Sequence, residues 1–178
     1  MKRFPPLHAV WPGLRLTFEV WPLVARVRLA LWREPFPSFY EQWNSEIERE
    51  LREAVAASSS LASDLLQSEL PQSEPDAQTR RLVWDCSHAV SRAARLVPRA
   101  SCLTQALVLQ RLLAQHGEEC ALFLGVDRRD ATPAIARSRS SVEAHAWIEW
   151  RGRVLIGGDI SRWTPFPLRP SRTPDAPR

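Results

Sequence analysis

Cysteine is scarce in this sequence, and long apolar runs are missing from it. The three cysteines, Cys86, Cys102 and Cys120, are an odd number with no Cys-x-x-Cys spacing, so they predict neither a closed disulfide framework nor a zinc site. No run approaches the ~18 consecutive apolar residues of a membrane span. Prolines interrupt the N-terminus where the apolar region of a signal peptide would stand. We therefore expect a cytoplasmic protein that neither crosses a membrane nor binds a metal.

Lysine is almost absent, because Lys2 is the only lysine among 24 basic residues. With 20 acidic residues, the formal net charge is +4. An arginine-rich surface would suit nucleic acid or an acidic peptide, whereas a GC-rich genome would favour arginine codons without a functional reason. The basic residues are interspersed along the chain, and no aromatic–basic motif accompanies them. We therefore expect no nucleic-acid partner.

Glycine is rare in the front of the chain, where Gly13 stands alone, and the rest occur from Gly117 onward. Tight turns are therefore expected mainly in the C-terminal part. Apolar residues recur at helical spacing over residues 20–32 and 39–57, which predicts two amphipathic helices, whereas residues 14–19 resemble a strand. A helical front followed by a mixed back predicts an α+β fold.

Composition divides the chain into three parts. Residues 58–79 are rich in serine, glutamine, proline and acidic residues, and they predict a linker with a short helix over 61–70 inside it. The linker ends an N-terminal helical segment, residues 1–75, which we expect to pack on the rest or to dock a partner. Residues 76–166 form the predicted core domain, and the proline-rich residues 167–178 predict a disordered tail.

The core domain has the clearest pattern of helices and strands. Its apolar residues predict a helix over 80–96, a second helix that begins at Cys102, and then three strands over 121–126, 142–150 and 153–158. Ser101 is a suitable N-cap for the second helix, and His116 with Gly117 ends that helix. The expected core is therefore a pair of helices with a small antiparallel sheet.

Cys102 is predicted to be the first residue of this second helix. The unpaired N–H groups and peptide dipoles at a helix N-terminus favour an anion, and the thiolate is the nucleophilic form of cysteine. A thiol used in acyl transfer needs a base, and the only histidine in a predicted strand is His145. Each residue also has an ordinary explanation, because cysteine is often buried in cores and a single strand histidine often only packs. We interpret Cys86 and Cys120 as inert packing residues.

A third group should hold the imidazole, and Asp159 is the candidate. With a three-residue hairpin loop, residues 150–152, His145 pairs with Gly157 and Asp159 lies diagonally on the same face. With a two-residue loop, His145 pairs with Gly158 and Asp159 points to the opposite face. Whatever the register, Asp159 also has an ordinary explanation as the cap of a short helix from Ile160. We expect the three-residue loop, and the triad of Cys102, His145 and Asp159 depends on it.

Two tryptophans of the predicted hairpin are candidate substrate-binding residues. Trp147 and Trp150 either pack within the hairpin or line a cleft for a peptide. The sequence leaves both alternatives open.

The second half of the chain carries an ordered set of short motifs: Ser101-Cys102-Leu103-Thr104, Leu124-Gly125-Val126, Ala144-His145-Ala146-Trp147, Gly157-Gly158 and Thr164-Pro165. In this order they resemble the leader peptidases of lasso-peptide biosynthesis, a branch of the transglutaminase-like, papain-related cysteine proteases. The resemblance implies a transglutaminase-like core in which Cys102 is the nucleophile and His145 the base. Asp159, the only acidic residue in the third strand region, would complete the triad.

The resemblance also implies a reaction and its partners. The enzyme would cut the leader from a ribosomally made precursor peptide and so free the amine that an ATP-dependent lasso cyclase uses. No cofactor is needed. Such peptidases work with a small leader-binding protein, a RiPP recognition element, which is either separate or fused at the N-terminus. A fused module should show three strands, and the front of this chain is predicted to be helical, so we expect a separate partner.

Two other functions remain open on the sequence. A transglutaminase-like acyltransferase would use the same triad and accept an amine instead of water. A non-catalytic peptide-binding scaffold would keep the fold with Cys102 merely buried.

Overall fold

The computed structural model describes residues 12–63, 75–127 and 143–166 of the chain. Within them, four helices precede four strands: α1 (Pro12–Arg33), α2 (Phe36–Ser63), α3 (Ala77–Arg95), α4 (Cys102–Gln115), β1 (Ala121–Asp127), β2 (Ala144–Trp150), β3 (Arg153–Ile156) and β4 (Trp163–Phe166). The predicted α+β class is confirmed. The predicted tail, residues 167–178, lies outside the described residues.

Helix α1 includes the segment that resembles a strand in the sequence. Residues 14–19 are helical, so the strand prediction is wrong. Their apolar residues alternate as in a strand, but the buried Thr17, Val20 and Val24 follow helical spacing. Burial of that stripe against the other helices decides the conformation.

Helical structure extends into both ends of the predicted linker. Helix α2 continues to Ser63, and α3 begins at Ala77 after the N-cap Asp76, whose carboxylate accepts a first-turn backbone N–H at 2.6 Å. Residues 64–74 lie outside the described residues, and so does most of the short helix predicted over 61–70.

Helix α4 is the centre of the hydrophobic core. Leu107, Leu109 and Leu113 are fully buried, because α4 packs against α1, α2, α3 and the sheet. Val24 of α1 and Trp43 of α2 belong to the same cluster. The N-terminal helices therefore share one core with the helices and strands that follow them.

The strands form one antiparallel sheet in the order β3-β2-β1-β4. No pattern in the sequence predicts β4, which has four residues with Pro165 among them. Its edge position accommodates the proline, because an edge strand can lack a donor on its open side. Strand β3 ends at Ile156, two residues earlier than predicted, since Gly157 and Gly158 take φ values of +124° and +66°.

The hairpin between β2 and β3 has a two-residue turn, so the predicted three-residue loop is wrong. Trp150 pairs with Arg153, and the turn residues Arg151 and Gly152 have φ values of 48° and 73°. Positive φ at both positions gives the tight turn whose twist matches the strands. The guanidinium of Arg151 lies 5.4 Å from the Trp150 ring centroid, which helps a non-glycine residue to occupy this conformation.

A bulge then shifts the register of this hairpin. Glu149 pairs with Val154, but Ile148 pairs with Ile156, so Leu155 is an extra residue on β3. Bulges re-aim the chain that follows them. Loop length alone predicted that His145 pairs with Gly157 or with Gly158. Because of the bulge, neither pairing describes the region around His145.

None of the helices in the described parts of the chain combines the length and the apolar character that a bilayer crossing requires.

Candidate active site

Cys102 begins α4, as its flanking residues predict. Ser101 is the N-cap, with extended φ and ψ of −88° and 170°, and its hydroxyl accepts the backbone N–H of Thr104 at 3.3 Å. The first intrahelical bond joins the Gln105 N–H to the Ser101 carbonyl at 3.1 Å. The N–H groups ahead of it have no acceptor within the helix, so the partly buried Cys102 stands at the positive end of the α4 dipole.

The other two cysteines have surroundings that keep a thiol protonated. Cys86 is 1% exposed in the core. Burial raises the pKa of Cys86 to about 11 and that of Cys120 to about 12, with smaller contributions from Asp85 and Glu119. Because the thiolate is the reactive form, both thiols are poor nucleophiles at neutral pH.

His145 is held on β2 by a backbone oxygen. Its Nε2 lies 2.7 Å from the Gly157 carbonyl oxygen. A carbonyl oxygen can only accept, so Nε2 carries the proton and Nδ1 of the neutral ring has the free lone pair. The hydrogen bond therefore fixes the tautomer and leaves Nδ1 as the nitrogen that can act as a base.

Glycine is required at position 157 by close packing as well as by its backbone conformation. A Cβ there would collide with the Cβ of Trp147 and would lie 3.3 Å from Nε2 of His145, and φ is +124°. Only glycine combines this φ with such an approach. Gly157 thus brings its carbonyl to the imidazole because it has no side chain.

Trp163 covers the imidazole and is the site residue that the sequence analysis missed. Its ring stacks on His145 with centroids 4.8 Å apart, and it is 8% exposed. The guanidinium of Arg162 lies 4.5 Å from the Trp163 centroid, and Arg162 also pairs with Glu143 at 3.0 Å. A four-residue edge strand has too few residues to show an alternation of apolar and polar side chains. The Thr164-Pro165 motif directly after Trp163 was therefore the only feature of the sequence that pointed to this region.

Asp159 is exposed and turned toward its own backbone. Its Oδ1 accepts the Ser161 N–H at 2.9 Å, and this bond is the main reason that the pKa of Asp159 lies below its ordinary value. Among the described residues it forms no hydrogen bond with His145. Its contact with the imidazole stays a prediction, and the hairpin register that motivated it is wrong.

Trp147 and Trp150 are 2% and 3% exposed. Trp147 stacks on Phe123 and donates to Glu149 at 2.9 Å, and Trp150 donates to Glu118 at 2.9 Å. Packing accounts for both rings, so their contact with a peptide stays a prediction that would require them to become exposed.

Cys102 and His145 lie on elements that pack directly against each other, α4 and β2. Cys102 packs at the edge of the cluster that includes Ala146, the neighbour of His145. Within the described residues no hydrogen bond joins the thiol to the imidazole. Catalytic hydrogen bonds are often long without substrate, so the reacting pair stays a prediction that this packing supports.

No group of three metal-ligating side chains is brought together in residues 12–63, 75–127 and 143–166. The described site provides a thiol at a helix N-terminus and an imidazole with a fixed tautomer.

The sequence model of the transglutaminase-like superfamily matches residues 47–167, which is more than half of the chain. The match begins within α2, and it includes Cys102, His145 and Asp159. No curated protein and no solved structure matches the chain.

Proposed function

Because the chain belongs to the transglutaminase-like superfamily, we propose that it is a cysteine peptidase that removes the leader from a ribosomally made precursor peptide in lasso-peptide maturation. The family has cysteine peptidases and acyltransferases as its usual members. The single observation that best supports a cysteine nucleophile with a histidine base is the orientation of the imidazole. His145 donates from Nε2 to the Gly157 carbonyl and so presents Nδ1 as a base. The motifs around Cys102 and His145 resemble those of leader peptidases.

In the proposed mechanism, Nδ1 of His145 takes the proton of the Cys102 thiol. The thiolate then attacks the carbonyl carbon of the last leader residue, and the Cys102 backbone N–H stabilises the oxyanion. The imidazolium gives its proton to the leaving amine, which is the N-terminus of the core peptide. Water, deprotonated by the same imidazole, hydrolyses the thioester and releases the leader with a free carboxylate.

Asp159 enters this proposal as a positioning residue. Its carboxylate holds the Ser161 N–H, and the chain goes directly from that turn into Arg162 and Trp163, which stacks on His145. The Gly157 carbonyl takes the role of orienting the imidazole that a triad acid would otherwise have.

The proposed partners are the precursor peptide, a separate leader-binding protein and the cyclase that consumes the product. A fused leader-binding module would require a three-stranded unit before the peptidase core, and the described N-terminal part, residues 12–63, is helical. That helical part is not such a module. We propose a separate leader-binding protein, and we place the reaction in the cytoplasm, where the precursor is made.

We propose that the genes of a precursor peptide and a leader-binding protein lie beside the gene of this chain. The test combines those two products with the protein and follows the cleavage by mass spectrometry. We expect cleavage at one bond. Cys102→Ala and His145→Ala should each lower the rate at least ~10²-fold, since nucleophile and base act as a unit. Cys86→Ala is the matched control and should cleave normally. Cleavage by Cys102→Ala protein at the unaltered rate would overturn the proposal.

The family match equally supports an acyltransferase, because the same thioester can be opened by an amine. Adding a primary amine to the cleavage reaction separates the two activities. A peptidase gives a leader with a free carboxylate, whereas an acyltransferase gives the heavier leader amide.

A further inference from the structure

Helix α1 has a second apolar face that the hydrophobic core does not cover. Phe18, Trp21, Leu29 and Trp32 are 68%, 43%, 43% and 72% exposed. Their spacing of three, eight and three residues puts them on one side of the helix. Val27, on the other side, is fully buried. Exposed apolar stripes of this kind mark binding surfaces.

The C-terminal half of this stripe forms one wall of a groove. A cavity of about 500 Å³ lies between the α1 residues Ala25, Arg28, Leu29 and Trp32 and the turn formed by residues 97–99. The groove combines apolar surface with two arginines, Arg28 and Arg99, and none of the described residues that line it is acidic. Its charge therefore favours an occupant with carboxylates beside large apolar side chains.

The two arginines of this groove differ in their surroundings. Nε of Arg28 is buried and has no hydrogen-bond acceptor among the described residues. A buried donor without an acceptor is costly. Arg99 is exposed in the turn that the Ala100 N–H closes on the Val97 carbonyl at 3.2 Å, so its side chain is accessible to a carboxylate.

The groove lies next to the helix N-terminus that carries Cys102. The turn that forms its second wall leads through Ala100 and Ser101 into Cys102. Cys102 follows Arg99 by three positions, so their Cα atoms are no more than about 11 Å apart. An extended peptide of about three to four residues spans that distance.

We propose that this groove binds the substrate peptide through an acidic, apolar segment, with its carboxylates on Arg28 and Arg99 and an apolar side chain against Trp32. The inference rests on the proposed function, and it adds a specificity element outside the reacting residues. A second copy of this chain is a poor occupant, because a symmetric pairing of this face would bring the same arginines together.

The test measures peptide binding without cleavage. The probe is the fluorescein-labelled peptide Gly-Ser-Leu-Phe-Glu-Leu-Glu-Ser-Gly, followed by anisotropy on the Cys102→Ala protein. We expect Trp32→Ala and Arg99→Glu each to weaken binding at least ten-fold. Trp84→Ala and Arg153→Glu are the matched controls, because both residues are exposed and neither lines the groove. Both should bind as the parent does, and circular dichroism should show the same fold in all variants.

Any one of three results would overturn the inference. The first is equal binding of the same peptide with lysine in place of both glutamates. The second is unchanged binding by both groove variants. The third is a change in sedimentation that shows Trp32 to hold two copies together. These results leave the proposed function intact, since cleavage through Cys102 is measured separately. Loss of cleavage with retained peptide binding would instead count against the proposed function alone.

Discussion

Gly157 contributes to the site through its carbonyl oxygen and through the side chain that it lacks. Replacing it with alanine would drive a Cβ into Trp147 and displace the oxygen that holds His145. We expect Gly157→Ala to lower kcat/KM for cleavage at least ~10²-fold, because displacements of about 1 Å in an active site can have effects of that size. KM should change little.

The neighbouring glycine is the matched control for this substitution. Gly158 also has a positive φ, +66°, but a Cβ there would meet nothing within 4 Å. Gly158→Ala therefore has the backbone strain without the collision and should retain most activity. Equal losses in the two variants would show that backbone strain, and not the Gly157 carbonyl, controls the imidazole.

Asp159 allows the two roles considered for it to be separated. Asparagine at this position keeps an oxygen for the Ser161 N–H and removes the charge, whereas alanine removes both. We expect Asp159→Asn to cleave within about three-fold of the parent, and Asp159→Ala to be roughly three- to ten-fold slower, which corresponds to one lost hydrogen bond. A loss of ~10²-fold in Asp159→Asn would mean that the carboxylate contacts the imidazole during the reaction.

The charge of Asp159 also has a defined pH range. The Ser161 N–H stabilises the ionised carboxylate and lowers the pKa of Asp159. The contribution of this charge to the stability of the fold is therefore complete above the ordinary pKa of about 4, and it is lost as the pH falls through the lowered pKa. A change in activity near neutral pH therefore belongs to other groups than Asp159.

At the scale of elements, Arg111 of α4 joins α2 to the central helix. Its side chain is 12% exposed and bonds Glu46 and Glu50, each at 2.6 Å, while the guanidinium lies 4.8 Å from the Trp43 ring centroid. Glu50 is 15% exposed, so little water is available to replace the arginine.

Removal of this arginine should destabilise the fold strongly. We expect Arg111→Ala to lower the free energy of unfolding by about 3–5 kcal/mol, because it leaves a carboxylate buried and unpaired. Arg49→Ala, which breaks the exposed Arg49–Glu53 pair at 3.8 Å, should lower it by about 0–1 kcal/mol. Urea unfolding followed by circular dichroism measures both. Similar small losses would show that the Arg111 cluster does not hold α2 in place.

The helices with the clearest end signals could be predicted most closely. Ser101 before Cys102 and Gly117 after His116 define α4, and both ends agree with the structure. The predicted start of α1 is wrong, because apolar and polar residues alternate over residues 14–19 as in a strand. Only the burial of these residues against other helices reveals their helical stripe. Such tertiary contacts cannot be read from a local pattern.

The hairpin shows the same limit within the site. Loop length could not give the register around His145, because the bulge at Leu155 adds a residue that no local signal announces. Cys102 and His145 could be proposed from their residue types and motifs. Trp163 and the Gly157 carbonyl could not, since one lies on a very short strand and the other is a backbone atom.

At the scale of the whole molecule, the N-terminal helices and the predicted core domain share one cluster of buried residues. The family match begins at residue 47, within α2, so α1 precedes the matched region. Val24 and Val27 of α1 are nonetheless fully buried in the common core. Helix α1 therefore both completes the core and presents the exposed stripe that borders the proposed peptide groove.

The central claim is that Cys102 is a thiol activated by His145. The most direct measurement is the rate of alkylation of each cysteine by iodoacetamide at pH 7.5, read by peptide mass spectrometry on the folded protein and on its His145→Ala variant. We expect Cys102 to react alone, because Cys86 and Cys120, with pKa values of about 11 and 12, stay protonated, and we expect the variant to react at least ~10-fold more slowly. An unreactive Cys102, or one that reacts equally fast without the imidazole, would contradict the account.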